Sequence, residues 1–312
     1  MLRSLSLFAV ALVLSAGVAD AQVRTAFPDK RGVQLSDFPR VIPLADGVYG
    51  YEEIRQPGFT TVSMFVVGAN GVLVADGQGS PQATQAMLDH IAKITPKPVK
   101  WYVVGSDHGD HTAGNSVLPK DITYIVSARS KAQMERDAAN PNRRADQPPV
   151  VVPPTAMTGD TQTVDLGGIQ VQVMFLGRAH TGGDLMVYVP RDKILFMSEA
   201  FLNRVFPAMR SAYPSEWVTQ IDRALAMDVT RYVPGHGFIE APQASREELV
   251  EYQKALKYVI TEATRLHGKG LSAADAAKQA NWGPYGDWML ADSQAPIAIQ
   301  KVWDEIDGKL PR

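Results

Sequence analysis

Residues 103–115 read Val103-Val104-Gly105-Ser106-Asp107-His108-Gly109-Asp110-His111-Thr112-Ala113-Gly114-Asn115. Two of the six histidines in the chain and two aspartates fall within positions 107–111, directly after the apolar run Trp101-Tyr102-Val103-Val104. This is the pattern of a strand that runs into a polar loop, with a Gly-containing helix start at 112–114. Such a loop, held between two rigid elements, aims its side chains at one point. Imidazole nitrogen and carboxylate oxygen suit a borderline cation such as zinc, which takes both at about 2.0–2.2 Å. The bland alternative is a solvated polar turn that happens to contain histidines, since short motifs match by chance.

Two further histidines weigh against that alternative. His180 stands in Gly177-Arg178-Ala179-His180-Thr181-Gly182-Gly183-Asp184, after the strand-like run 171–176, and His236 stands in Pro234-Gly235-His236-Gly237, after Arg231-Tyr232-Val233. Each ends an apolar run and is followed by glycine at the next position or the next but one. Both are therefore expected to project from strand ends into one cleft, where layered α/β folds gather their ligands. Glu199 closes another apolar strand, in Leu195-Phe196-Met197-Ser198-Glu199.

The rest of the chain reads as α/β. Strands are expected at 47–52, 61–67 and 71–75, with hairpin chemistry at Ala69-Asn70-Gly71. Ser80-Pro81 opens a helix whose apolar positions Ala83, Ala86, Met87 and Ile91 follow the 3.6 period, and a strand follows at 99–104, giving a parallel crossover unit. A strand at 121–127, a helix at 128–139 and a proline-rich loop at 140–154 come next. Strand pairs are read at 163–166 with 169–176 and at 185–189 with 193–197. Amphipathic helices are read at 215–227, 245–267, 272–279 and 295–306. The aromatic cluster Trp282, Tyr285 and Trp288 is expected to pack on the main body. His90, on the first helix, is read as a surface or core histidine. Arg178, Arg210 and Tyr213 lie near the motifs, where substrate contact is one role open to them, but salt bridging or packing is the expected role of each.

Residues 1–21 have the form of a secretory leader, with Arg3 first, an apolar stretch from Leu5 to Val18 and Ala19-Asp20-Ala21 before Gln22. They lead to the expectation of a periplasmic or secreted protein with no membrane attachment after cleavage. Residues 22–40 read as a loosely held arm, residues 41–243 as the main domain and residues 244–312 as a helical tail packed on it. Absence of cysteine excludes disulfides and thiolate ligands, and a net charge of −2 gives no reason to invoke nucleic acid. The partner expected is a small-molecule substrate. Oligomeric state is not readable from these patterns.

The order of these motifs resembles the metallo-β-lactamase-fold hydrolases, over about residues 41–237. That superfamily carries H-x-H-x-D-H after a strand, then a single His, an Asp closing a strand and a His in a G-H-G-like turn. Here the matching stretch is Ser106-Asp107-His108-Gly109-Asp110-His111, followed by His180, Glu199 and His236. The resemblance implies a four-layer αββα sandwich. It places His108 and His180 in a first metal site, Asp110, His111 and His236 in a second, and Glu199 where the bridging carboxylate stands. Ser106 replaces the first histidine, so the first site is expected to lose its third nitrogen ligand unless water or Asp107 fills the gap. One zinc ion is expected, with two possible.

By the same resemblance the activity is hydrolysis of a carbonyl substrate (an amide such as a β-lactam, a lactone or a thioester) by a metal-activated water, with Asp110 orienting it or accepting its proton. Two other readings stand beside it. One is an iron-dependent oxidoreductase of the same fold, and the other is an exported binding protein whose site has degenerated at Ser106.

Overall fold

A computed structural model describes residues 23–55 and 58–311, so the leader expected at 1–21 lies outside the described residues. Eleven strands form two sheets. The first has the order β1 (Arg40–Ala45), β2 (Val48–Arg55), β3 (Phe59–Gly68), β4 (Gly71–Ala75), β5 (Val99–Val103) and β6 (Thr123–Ile125). Its first four strands pair antiparallel, while β5 and β6 are added in parallel after the crossover helix α1 (Pro81–Ile94) and the connection that holds the short helix α2 (Gly109–Thr112). The second sheet runs from β7 (Thr161–Asp165) and β8 (Gln170–Met174) through β9 (Met186–Val189) and β10 (Ile194–Phe196) to β11 (Arg231–Val233), with only β10 and β11 parallel.

Alternation along the strands decides which side each residue serves. Val62, Met64 and Val66 of β3 meet Val171, Val173, Val187 and Phe196 of the second sheet in the core between the sheets. Their neighbour Phe65 turns outward, with Val72, Val74 and Tyr102, onto Met87 and Ile91 of α1. Leu195 and Tyr232 of the second sheet point the other way. They pack under α4 (Pro214–Ala226), α5 (Pro242–Leu266) and α7 (Ala291–Ile306), with α6 (Ala273–Gln279) joining the same cluster. Helix α3 (Ala128–Ala138) follows β6 and contributes Met134 to the core beside α1. The result is two mixed sheets face to face with helices on both outer sides, the αββα sandwich.

Several details differ from the sequence expectation. The 3.6 period locates the long helix only from residue 245, whereas α5 starts at Pro242, a residue suited to the first helical turn. α7 starts at Ala291 and carries Pro296 within its first two turns. The short helix after β5 begins at Gly109, so His108 is its N-cap rather than a residue well before it. The arm read as loose is pinned. Ala26 is fully buried, Arg31 grips Glu240 through both guanidinium nitrogens at 2.7 and 2.8 Å, and the same guanidinium lies 4.6 Å from the Phe238 ring centre. The two charges are 209 positions apart, so no local pattern announces them. In the tail, Trp288 stacks with Tyr252 of α5 and Tyr285 meets Trp288 edge-on, as packing residues do.

Candidate metal centre

Each candidate ligand sits just beyond the C-terminal end of a strand. His108, Asp110 and His111 follow β5, His180 lies in the loop after β8, Glu199 in a single 3-10 turn after β10, and His236 after β11. Close packing brings the loops together. The Gly235 Cα lies so near Ser198 that a Cβ there would stand 2.4 Å from its carbonyl carbon, and Gly237 needs a positive φ of 80°. Val62 N–H donates to the Gly235 carbonyl at 2.8 Å, which ties β3 of the first sheet to the His236 turn of the second.

All six predicted residues converge. Asp110, His111, Glu199 and His236 offer ligand atoms within 4.8 Å of one another, and so do His108, His180 and Glu199. Glu199 belongs to both groups. Its Oε1 lies 3.2 Å from Nε2 of His180 and of His236, and its Oε2 lies 2.8 Å from His108 Nδ1. The vacancy expected at Ser106 is thus met differently. The serine is fully buried and donates its hydroxyl to Glu199 Oε2 at 2.6 Å. The longer carboxylate reaches the first group, which keeps three donors without Asp107.

The imidazole orientations bear on whether these atoms fit a cation. His236 Nδ1 lies 2.8 Å from the Thr60 carbonyl, so Nδ1 carries the hydrogen and Nε2 the lone pair. His111 Nδ1 faces Asp76 Oδ2 at 3.1 Å, an ion-pair contact without hydrogen-bond geometry, and its Nε2 turns inward. The two Nε2 atoms then face each other at 3.3 Å, with Asp110 Oδ2 3.1 Å from that of His236. Lone pairs and carboxylate oxygens gathered this way repel unless a proton or a cation lies among them. His108 turns Nδ1 inward, 3.1 Å from His180 Nε2, and rests its Nε2 against Ser211 Oγ at 3.2 Å. The donor set therefore fits a divalent ion, with nitrogen and carboxylate ligands and outer hydrogen bonds that orient the rings.

Charge balance in the cluster agrees. Burial pulls the His108 imidazole down, but Glu199, Asp107 and Asp110 carry it up to about 9. Burial likewise opposes His236, which hydrogen bonds to Asp110 and Glu199 raise to about 9. Burial and the Glu199 charge push Asp110 upward, yet His236 and His111 hold it well below the usual carboxylate range. Asp107 and Asp184, both buried, are lifted by that burial to about 6.

Three supporting residues escaped the sequence reading. Asp76, at the end of β4, accepts Gly105 N–H at 2.6 Å and the Ser198 hydroxyl, and faces His111. Asp76 and Ser198 both hold a positive φ, of 61° and 48°, a conformation that a built site pins in place. Arg55, at the end of β2, forms an ion pair with Asp110. Only the Asp-Gly-Gln-Gly run at 76–79, an acid closing an apolar strand, carried any signal for these residues. His90 stays away from the cluster, its Nδ1 2.8 Å from the Ala86 carbonyl. Arg178 is ion-paired with Glu216 and lies over the Tyr213 ring at 4.0 Å, as expected of a surface residue.

The chain belongs to the metallo-beta-lactamase superfamily, whose family profile matches residues 57–236. It is 24% identical over 227 residues to the 2,4-dinitroanisole O-demethylase subunit alpha of Nocardioides sp. (strain JS1661), a match that covers 65% of this chain and 64% of the relative. It is 23% identical over 244 residues to the metallo-beta-lactamase type 2 of Bacteroides fragilis, covering 75% and 92%. Among solved structures it resembles a stereoselective inverting sec-alkylsulfatase from Pseudomonas sp., with a TM-score of 0.65 at 15% identity over 88% of this chain and 51% of the other. The chain thus spans 64% of the demethylase subunit's length. The three relatives are named for three different substrates, so the shared fold does not choose among them.

Proposed function

We propose that the protein is an exported, zinc-dependent hydrolase of a small-molecule substrate, built around a carbonyl or similar ester-type bond. The observation that carries this reading is the convergence of four imidazoles and two carboxylates from four separate loops, with His236 and His108 oriented by outer hydrogen bonds to the Thr60 carbonyl and Ser211 Oγ. His108, His180 and Glu199 would hold one ion, and Asp110, His111, His236 and Glu199 a second. Imidazole and carboxylate are both ordinary zinc ligands, in a combination that catalytic zinc sites use. Export rests on the leader-like residues 1–21.

A bound divalent ion supplies a water whose pKa falls towards 7 and a Lewis acid for the developing oxyanion. The chain does the rest. Asp110, ionised at neutral pH, orients the attacking water or accepts its proton, and Arg55 pairs with the same Oδ2 that faces His236. Ser106 fixes Glu199 between the two groups. Phe59, Leu202 and Val205 line the cleft with the ligands and keep its dielectric low, which strengthens every charge interaction inside. Elemental analysis of protein purified without added metal, with turnover assays on nitrocefin, a lactone and a thioester, tests the reading. Zinc with hydrolysis is expected. Absence of any bound metal together with absence of turnover would return the site to a binding role.

A further inference from the structure

Two cavities meet at His108 and Arg210, which line both of them. The one that holds the candidate ligands, about 310 Å³, has an apolar wall of Phe59, Leu202, Val205, Leu290 and Ile297. The other, about 740 Å³, is bordered by Arg129, Arg136, Arg210 and Lys301, with Asp107 and Asp137 as its carboxylates. Helix α7 serves both. Leu290 at its N-cap, Gln294 and Ile297 line the first cavity and Lys301 the second. Steps of four, three and four residues put these on one helix face.

Three arginines around the site are neutralised: Arg178 by Glu216, Arg204 by Glu248 and Arg55 by Asp110. Arg210 and Lys301, by contrast, have no hydrogen-bond or ion-pair partner among the described residues, in a chain whose net charge is −2. Asp137 accepts the Gln133 amide at 2.9 Å, and Asp107 is buried. Ile297 is one of the few large apolar side chains left open, at 36% exposure. An apolar wall beside the reacting centre, continued by unneutralised cations one helical turn further on, describes what must fill it.

We propose that the substrate is an anionic amphiphile, its apolar part lying on Leu290 and Ile297 of α7 and its anionic group held by Arg210 and Lys301. This rests on the hydrolase reading and makes the C-terminal helix a specificity element rather than only packing. The test is calorimetric binding of octane-1-sulfonate, which has both features and no hydrolysable bond, beside ethanesulfonate and octan-1-ol, which have one each. Octane-1-sulfonate should bind at least about tenfold more tightly than either half. Arg210→Ala with Lys301→Ala should remove about tenfold of that affinity and leave octan-1-ol unchanged, whereas the uncharged Ile297→Ser should weaken octane-1-sulfonate and octan-1-ol but not ethanesulfonate. Arg210 is exposed and Lys301 and Ile297 lie at the surface, so the variants should fold, which thermal unfolding checks. Equal binding by wild type and variants, or no binding by folded, metal-containing wild type, overturns the proposal. Metal analysis of the same samples separates the two ideas. Protein without metal that keeps the binding pattern rejects only the hydrolase reading, and metal-loaded protein without the pattern rejects only this one.

Discussion

The two halves of the candidate metal centre share Glu199 but are supported unequally. In the half made by Asp110, His111 and His236, the outer nitrogen of His236 is hydrogen-bonded to the Thr60 carbonyl, while that of His111 lies 3.1 Å from the buried Asp76 carboxylate without hydrogen-bond geometry. In the half made by His108 and His180, the outer nitrogen of His108 rests on Ser211 Oγ, while that of His180 finds no hydrogen-bond partner although it is buried. A ring held by a charged or backbone acceptor keeps its tautomer and its aim, whereas a ring held by a rotatable hydroxyl does not. The lesson is that ligand identity alone does not rank two metal positions. The half that contains Asp110 should hold its ion more firmly, and Ser106, by anchoring Glu199, supports both halves at once.

That ranking can be broken most directly by deleting ligands. His236→Ala and Asp110→Ala should each strip the tightly held ion during dialysis and lower kcat/KM by about 10²-fold to 10⁴-fold, while His108→Ala should retain it. Metal content measured after dialysis decides this, and equal loss in all three variants would erase the distinction. Asp76→Asn, which keeps the shape but not the charge behind His111, should weaken metal affinity by about 10-fold to 100-fold. A chelator competition assay reads that loss, and an unchanged affinity would mean that Asp76 serves only the backbone of Gly105.

Smaller effects sharpen the comparison. In the metal-free protein His108 and His236 titrate near 9, so both are protonated at neutral pH and metal must displace their protons. Affinity should therefore rise with pH by about tenfold per unit for each proton displaced, levelling off above pH 9, and proton release should be visible by calorimetry in buffers of different ionisation enthalpy. For folding the sign is opposite. These raised values stabilise the metal-free protein fully below the ordinary histidine value of 6.5, and the contribution is lost as pH climbs through about 9, which thermal unfolding of metal-free protein can follow. The smallest change belongs to Ser106→Ala, which removes the hydroxyl that anchors Glu199 and should lower occupancy of the His108 half. An unaltered metal count would mean that Glu199 holds its place without the serine.

Much of the site was legible because its candidate ligands sit where local pattern is strongest, each at the end of an apolar run and all but Glu199 close to glycine. Expectation and geometry agree on the convergence of His108, Asp110, His111, His180, Glu199 and His236. Ser106 was read as a lost ligand, since a one-dimensional motif offers only its own position for comparison. The hydrogen bond that gives it a purpose comes from a residue 93 positions away. Asp76 and Arg55 were not singled out as site residues for the same reason, and Arg210, named as within reach of a substrate, was assigned the commoner role of salt bridging or packing. An acid or an arginine at a strand end or in a loop has many ordinary roles, and only its neighbours select among them.

The amino-acid order by itself determined the alternation that makes strands two-faced, the helical periods, the turn chemistry and the set of donor residues, because each depends on neighbours within a few positions. Only the tertiary structure decided that Glu199 belongs to both donor groups, that the N-terminal arm is clamped by Arg31 and Glu240, and that α7 borders the cleft with Ile297 and Lys301. Those facts are distances between remote parts of the chain. They follow from how two sheets and seven helices pack, and packing is set by the whole core at once rather than by any segment of it.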